Sequence, residues 1–180
     1  MIFKTVGVVG AGLMGSEIAL VFALTGRKVK LYDTDSSLVD QAMQRLERVL
    51  GKGIDRGLYD PSVIDTALPR IERCKGLDHY SDCDLVIEAV FEDEAVKGRV
   101  FSDLDRFVSN DCVLASNTSS ISITTLASKV SESRRSRFIG THFFSPVSRM
   151  KLVEVIPGLD TEPVIVEQVM NVCREIGKTP

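Results

Sequence analysis

The sequence predicts an α/β fold of the doubly wound kind, a mostly parallel sheet with helices on both faces. Three observations lead there. Short apolar runs alternate with stretches of helical periodicity along the whole chain, the pattern of strand–helix–strand units. Between the first strand and the first helix stands Gly10-Ala11-Gly12-Leu13-Met14-Gly15, a G-x-G-x-x-G in the context where that spacing has meaning. The unbroken apolar run Leu85-Val86-Ile87 suits a parallel strand buried on both faces.

Val6, Val8 and Val9 make the first strand. Gly10 permits the tight turn, Gly12 lets a pyrophosphate approach bare backbone, and Gly15 lets the following helix, Ser16 to Leu24, lie close on the strand. The free N–H groups and positive dipole end of that helix face the phosphates. The second strand, Lys28 to Tyr32, ends at Asp33, placed to take both hydroxyls of an adenosine ribose. The alternative is that Asp33 caps the next helix, for which Asp35 and Ser36 are better placed. A carboxylate here repels a 2′-phosphate, and neither Thr34 nor Asp35 supplies an arginine to receive one. NAD is therefore favoured over NADP.

A helical pattern from Leu38 to about Lys52 follows, its apolar residues forming one buried stripe. Arg45 and Arg48 read as a solvated face; Lys52 and Arg56 are either solvated too or meet a phosphorylated ligand. Gly51, Gly53 and Gly57 predict that this helix loosens into an arm. Pro61 to Leu68 reads as a short helix and Ile71 to Cys74 as a strand. After the strand at Leu85, a helix from Glu94 turns Val96, Val100, Phe101, Leu104 and Phe107 inward. Glu92 and Lys97 stand where strand hands over to helix, the edge at which doubly wound sheets bind ligands. Glu92 equally suits a helix N-terminus, and Lys97 a neighbouring acid. The strand Val113 to Ala115 ends in Ser116-Asn117-Thr118-Ser119-Ser120, small polar residues that cap the helix Ile123 to Val130, offer hydroxyl donors at the site, or do both. Ser131 to Arg137 reads as a surface loop, Phe138 to Gly140 and Lys151 to Ile156 as strands, and Glu162 to Ile176 as the last helix.

Length and composition bound the class. A chain of 180 residues suits one domain, and 44% hydrophobic with 26% charged residues is ordinary for a globular protein. The formal net charge of −3 gives no basic field for nucleic acid, and no apolar stretch reaches a membrane span. The start, MIFKTV, runs straight into a strand and leaves no room for a signal peptide. Cys74, Cys83, Cys112 and Cys173 form no C-x-x-C pair; they read as reduced, mostly buried thiols of a cytoplasmic protein, with no metal expected.

The chain has 2 histidines. His79 lies in a polar connection and reads as a surface residue. His142 ends a strand beside the expected nicotinamide crevice, where a lone histidine is more often a hydrogen-bonded core residue than a base. Glu154, in the otherwise apolar strand KLVEVI, needs a partner there. If the turn around Pro146 folds that strand back beside the first, Glu154 accepts the proton on one ring nitrogen of His142. That fixes the tautomer and leaves the other nitrogen to take an alcohol proton.

These residues together resemble the 3-hydroxyacyl-CoA dehydrogenase family. The matching pieces are GAGLMG at Gly10 to Gly15, Asp33, EAVFEDEAVK at Glu88 to Lys97, SNTSS at Ser116 to Ser120, and HFFSPVSRMKLVEVI at His142 to Ile156. They span the whole chain in the family's order, and the last is highly specific. The resemblance implies a Rossmann-type fold, NAD as cofactor and an acyl-CoA as substrate. It makes His142 the base, Glu154 its orienting acid, and Ser119 the contact to the substrate's 3-oxygen and the cofactor. Gly10, Ala11, Gly12, Leu13, Met14, Gly15, Asp33, Val90, Phe91, Glu92, Lys97 and Ser145 become lining of the NAD site. Arg56 falls near a position that touches coenzyme A in some members. Ser145 replaces the asparagine that usually follows His-Phe-Phe, losing a hydrogen bond to the nicotinamide ribose or making it through water.

Family members continue into a helical domain that makes most of the dimer contact and closes over the acyl-CoA. Residues 1–180 are therefore expected to be the NAD-binding domain of a longer protein, a homodimer or part of a multifunctional enzyme, cut at its boundary and lacking that helical half here, or else a truncated gene product. The expected reaction is reversible oxidation of an L-3-hydroxyacyl-CoA to the 3-oxoacyl-CoA, in fatty-acid or short-chain acyl-CoA metabolism. Two alternatives stand beside it: a truncated NAD-binding module with little or no catalysis, and a related dehydrogenase of a non-CoA hydroxy acid, which the His142/Glu154 pair disfavours.

Overall fold

The structure, a computed structural model, describes residues 3–180; residues 1 and 2 of the expected domain lie outside the described residues. Its strands are β1 (Thr5–Val9), β2 (Lys28–Tyr32), β3 (Ile71–Arg73), β4 (Leu85–Glu88), β5 (Val113–Ser116), β6 (Phe138–Phe143) and β7 (Val153–Pro157). They form one sheet in the order β3-β2-β1-β4-β5-β6-β7. All neighbours are parallel except β6 and β7, which run antiparallel. The chain leaves β1 toward β2 on one side and returns to β4 on the other. The loops after β1 and β4 therefore diverge, opening a crevice at the carboxyl ends of the strands.

Among the described residues the α-helices are α1 (Leu13–Leu24), α2 (Ser36–Asp55), α3 (Val63–Ala67), α4 (Glu94–Phe107), α5 (Ile123–Ala127), α6 (Glu132–Arg135) and α7 (Pro163–Glu175). Alternate strand residues feed two separate cores, as the two-residue side-chain period requires. Val8, Leu85, Ile87 and Ala115 pack with Ile18, Leu46 and Val169 from α1, α2 and α7. Val9, Val86 and Leu114 pack with Phe101, Leu104 and Leu126 from α4 and α5 on the opposite face. Helices on both faces are what the sequence predicts. Among the described residues, no helix is long and apolar enough to cross a membrane.

Several elements depart from the sequence reading. Helix α2 runs unbroken through Gly51 and Gly53 to Asp55. A Cβ on Gly53 would meet the Tyr59 ring at 2.4 Å, so this glycine serves a close contact, not a break. Arg45 is half-buried and donates to the Ser16 hydroxyl at 2.9 Å, tying α2 to α1 instead of facing solvent. Phe107 is 41% exposed, leaving Phe101 and Leu104 to fill the core beneath α4. Helix α5 stops at Ala127, short of Val130. The expected surface loop from Ser131 contains α6, whose Arg134 is only 3% exposed. Its guanidinium pairs with Asp105 at 3.0 Å and donates to the carbonyls of Ser109, Cys112 and Val108. Strand β6 extends beyond Gly140 to Phe143, which places His142 within the sheet ladder.

Candidate active site

The crevice between β1 and β4 holds a cavity of about 650 Å³ whose lining includes Val9, Gly10, Gly12, Asp33, Val90 and Phe91. Gly10 adopts φ 103°, a conformation that favours glycine. A Cβ on Gly15 would lie 1.8 Å from the Gly10 carbonyl oxygen, whereas a Cβ on Gly12 would meet nothing within 4 Å. The three glycines thus separate into a turn, an open face and a close helix contact. Gly12 caps α1 without a side-chain hydrogen bond, so the leading N–H groups of α1 are offered to an incoming anion. Asp33 accepts from the Ala11 N–H at 2.8 Å and the Asp35 N–H at 3.2 Å, which holds its carboxylate at the rim of the cavity. Asp35, not Asp33, caps α2. Bare backbone, free helix N–H groups and a fixed acid one strand away fit a dinucleotide. Arg99 and Asp103 of α4 also line this cavity; sequence reasoning passed over both, because their helical spacing reads as an ordinary solvated face.

A second cavity of about 360 Å³ adjoins the end of β6 and brings together Met14, Val90, Glu92, Ser119, His142 and Ser145. Hairpin register sets Glu154 directly opposite His142. Nδ1 of His142 lies 2.8 Å from Oε2 of Glu154, and the Phe144 ring packs on the imidazole with centroids 4.4 Å apart. The expected contact is present, but the expected burial is not. The Glu154 side chain is 51% exposed, because β7 is the edge strand of the sheet. An ionised Glu154 requires the proton on Nδ1 and leaves Nε2 as an acceptor. Asn117 lines the same cavity and accepts from the Phe143 N–H at 2.9 Å, joining the end of β5 to the strand of His142. The sequence reading did not single it out, since that bond spans 26 residues.

Glu92 does not serve the start of α4; Asp93 caps that helix. Glu92 instead accepts from the Thr118 hydroxyl at 2.5 Å and the Ser119 N–H at 2.9 Å, and lies 3.2 Å from the Lys97 ammonium. Partial burial alone would raise its pKa, but these donors outweigh it and bring the carboxyl down to about 2. The SNTSS segment does not cap α5 either, a role taken by Ser122. Lys97 corrects an expectation. Its side chain is 0% exposed, enclosed between Glu88 at 2.7 Å, Glu92 and the Val90 carbonyl at 3.3 Å. It reaches the cavity only through the groups it holds. Phe91 is exposed in the lining of the first cavity, whereas Leu13 is exposed but lines neither cavity, contrary to the expectation.

Arg56 lines a separate cavity of about 360 Å³ with Lys52, Arg149, Tyr59 and Ser148, on the α2 side of the loop that carries Ser145. Ser145 precedes a cis Pro146. All four cysteines are free and buried, and burial pushes Cys74 up to about 11 and Cys112 and Cys173 to about 12. The fold does gather Glu72, Cys74 and His79, with ligand atoms within 4.8 Å of one another, a grouping the sequence reading did not foresee. Lys28 lies 3.3 Å from the same Glu72 carboxylate and competes for it.

Residues 5–180 match the family described as 3-hydroxyacyl-CoA dehydrogenase, NAD binding domain. The chain is 40% identical over 174 residues to a probable 3-hydroxybutyryl-CoA dehydrogenase of Deinococcus radiodurans, covering 97% of this chain and 62% of the relative. It is 39% identical over 177 residues to a fatty acid oxidation complex subunit alpha of Idiomarina loihiensis, covering 98% of this chain and 24% of the relative. Among solved structures, an (S)-3-hydroxybutyryl-CoA dehydrogenase from Ralstonia eutropha superposes with a TM-score of 0.95 at 37% identity, covering 99% of this chain and 62% of that one. The chain thus spans less than two thirds of the length of these relatives.

Proposed function

The chain belongs to the 3-hydroxyacyl-CoA dehydrogenase family through its NAD-binding domain, and on that premise we propose that it carries the proton-transfer dyad for reversible oxidation of an L-3-hydroxyacyl-CoA to the 3-oxoacyl-CoA. The observation that carries this reading is the 2.8 Å contact between His142 and Glu154, made in a cavity that Ser119 also lines. Nε2 of His142 takes the proton of the substrate's 3-hydroxyl. Glu154 accepts the Nδ1 proton, fixes the ring plane and stabilises the imidazolium that forms. The Ser119 hydroxyl donates to the same 3-oxygen and favours its developing carbonyl. NAD, when bound, supplies the acceptor for the hydride leaving C3. Asp33 receives the adenosine ribose, and Gly12 with the first turn of α1 receives the pyrophosphate. Arg56 and its cationic neighbours meet the phosphates of coenzyme A.

The test is NADH-dependent reduction of acetoacetyl-CoA, alongside an NADH fluorescence titration. His142→Ala is expected to lower turnover by about 10²–10⁴-fold with NADH binding retained; loss of both together would show a structural histidine. Glu154→Gln should slow turnover and move its pH profile, and an unchanged profile would count against the dyad. A second reading, confined to the 180 residues by themselves, is an NAD-binding module without useful catalysis. NADH binding by the unaltered chain without reduction of acetoacetyl-CoA would select it. A protein composed like those relatives would work as a homodimer or within a multifunctional fatty-acid oxidation enzyme, in the cytoplasm.

A further inference from the structure

Glu88 ends β4 with its side chain wholly buried, yet it is a carboxylate. Three donors converge on it at 2.7 Å: the Val90 N–H and the Lys97 ammonium on Oε1, and the Ser116 hydroxyl on Oε2. Its own carbonyl accepts from the Asn117 N–H at 2.8 Å. Lys97 then reaches Glu92 at 3.2 Å, and Glu92 holds the Ser119 N–H at 2.9 Å. One connected network therefore runs from the floor of the sheet to the lip of the cavity that holds His142. Its charges do not cancel. Two carboxylates enclose one ammonium and leave one net negative charge beneath that lip.

A buried net charge costs free energy unless it has a counterpart. Burial holds the Glu88 carboxyl above the ordinary carboxylate range even against Lys97, Ser116 and Val90, which is why its three donors are needed to keep it ionised, while Glu92 is held at about 2. Among the side chains lining the second cavity no arginine or lysine is present, and Glu92 is the one carboxylate. The surplus charge sits at the Glu92 end, where the side chain is 37% exposed, so a cation placed in the cavity meets an attraction that no lining side chain cancels. A nicotinamide ring is cationic when oxidised and neutral when reduced.

We propose that the Glu88–Lys97–Glu92 triad discriminates between the two redox forms of the cofactor, favouring the oxidised ring by its one uncompensated charge. Glu88 is the positioning residue of the triad: it touches neither substrate nor cofactor, fixes Lys97 against Glu92 and carries one of the two negative charges. The inference rests on the cofactor reading given above, with the nicotinamide in the cavity beside His142.

Glu88→Gln keeps the shape of the side chain. Its amide oxygen still accepts from Val90 and Lys97, its amide nitrogen donates to the Ser116 oxygen, and the net charge of the triad falls to zero. Titration of the 180-residue chain with NAD and with NADH gives the ratio of their dissociation constants. A unit charge within about 10 Å at an effective dielectric near 20 is worth about tenfold, so the ratio should move about five- to tenfold toward NADH. Glu92→Gln, at the partly exposed end of the triad, should move it the same way and serves if Glu88→Gln does not fold. Glu167→Gln, an exposed carboxylate of α7, should leave the ratio unchanged. Equal weakening of both forms in the triad variants, with an unmoved ratio, would mean that the network only holds the loops in place and would overturn the proposal. An unaltered chain that binds neither form would instead overturn the cofactor reading beneath it.

Discussion

Gly12 and Gly15 lie three residues apart, and alanine at each should give opposite results. At Gly15 the new Cβ would stand 1.8 Å from the Gly10 carbonyl oxygen, a backbone atom that no rotamer change can move. Overpacking of that kind costs about 3 kcal/mol. For a chain of this size each kcal/mol moves the melting temperature by about 2–4 °C, giving a fall of about 6–12 °C. At Gly12 the backbone has φ −65° and ψ −168°, which alanine adopts freely, and no atom lies within 4 Å of the new methyl. The loss is that of a glycine N-cap, about 0.5–1 kcal/mol, or about 1–4 °C. The methyl group does, however, occupy the face kept bare for the pyrophosphate. Thermal shift assays with and without NADH separate these effects. Ligand at a hundred times its dissociation constant adds about 2.7 kcal/mol, hence about 5–11 °C, to a chain that binds it. Gly12→Ala should keep most of its own stability and lose that increment; Gly15→Ala should melt early. A Gly12→Ala chain still protected by NADH would refute the assignment of the open face.

Two further outcomes follow from charge and burial. Glu92 titrates near 2 when folded and in the ordinary carboxylate range when unfolded. Its stabilising effect is complete above about pH 4.5 and is lost as pH falls toward 2. Acid unfolding should therefore be less steep in that window for Glu92→Gln, and identical curves would remove Glu92 from the account. The four buried thiols, with Cys112 and Cys173 pushed to about 12, should resist a thiol reagent in the native chain and all react in guanidinium. Rapid native labelling of any one would contradict its burial.

What the sequence made legible was local. Strand, glycine turn and helix from Thr5 to Leu24, and the acid at Asp33, are written in neighbouring residues, and the structure places them in that order, with the helix starting at Leu13 and not Ser16. The facing of His142 and Glu154 was legible because Pro146 marks a turn between two apolar runs. Errors gathered where distant residues decide. Gly53 reads as a breaker until Tyr59 is seen packed on it. Arg134 reads as solvated until Asp105 and three carbonyls close around it. Glu154 reads as buried because an apolar strand gives no sign that it will lie at an edge. The bonds of Glu88 to Lys97 and Ser116 join residues 9 and 28 positions apart, and no periodicity announces them.

The single antiparallel pair in the sheet has a further consequence. Since His142 and Glu154 are cross-strand partners in a hairpin, their meeting depends on ladder alignment and not on the span that connects them. Slippage by one residue would send the acid to the far side of the sheet and undo the pair at a stroke. The connecting span from Phe144 to Leu152 is anchored separately, by the Phe144 ring on the imidazole, the buried Val147 and the Ser148 N–H on Glu17. Ladder and span thus fix the imidazole from two sides, and a change in either reaches the pair.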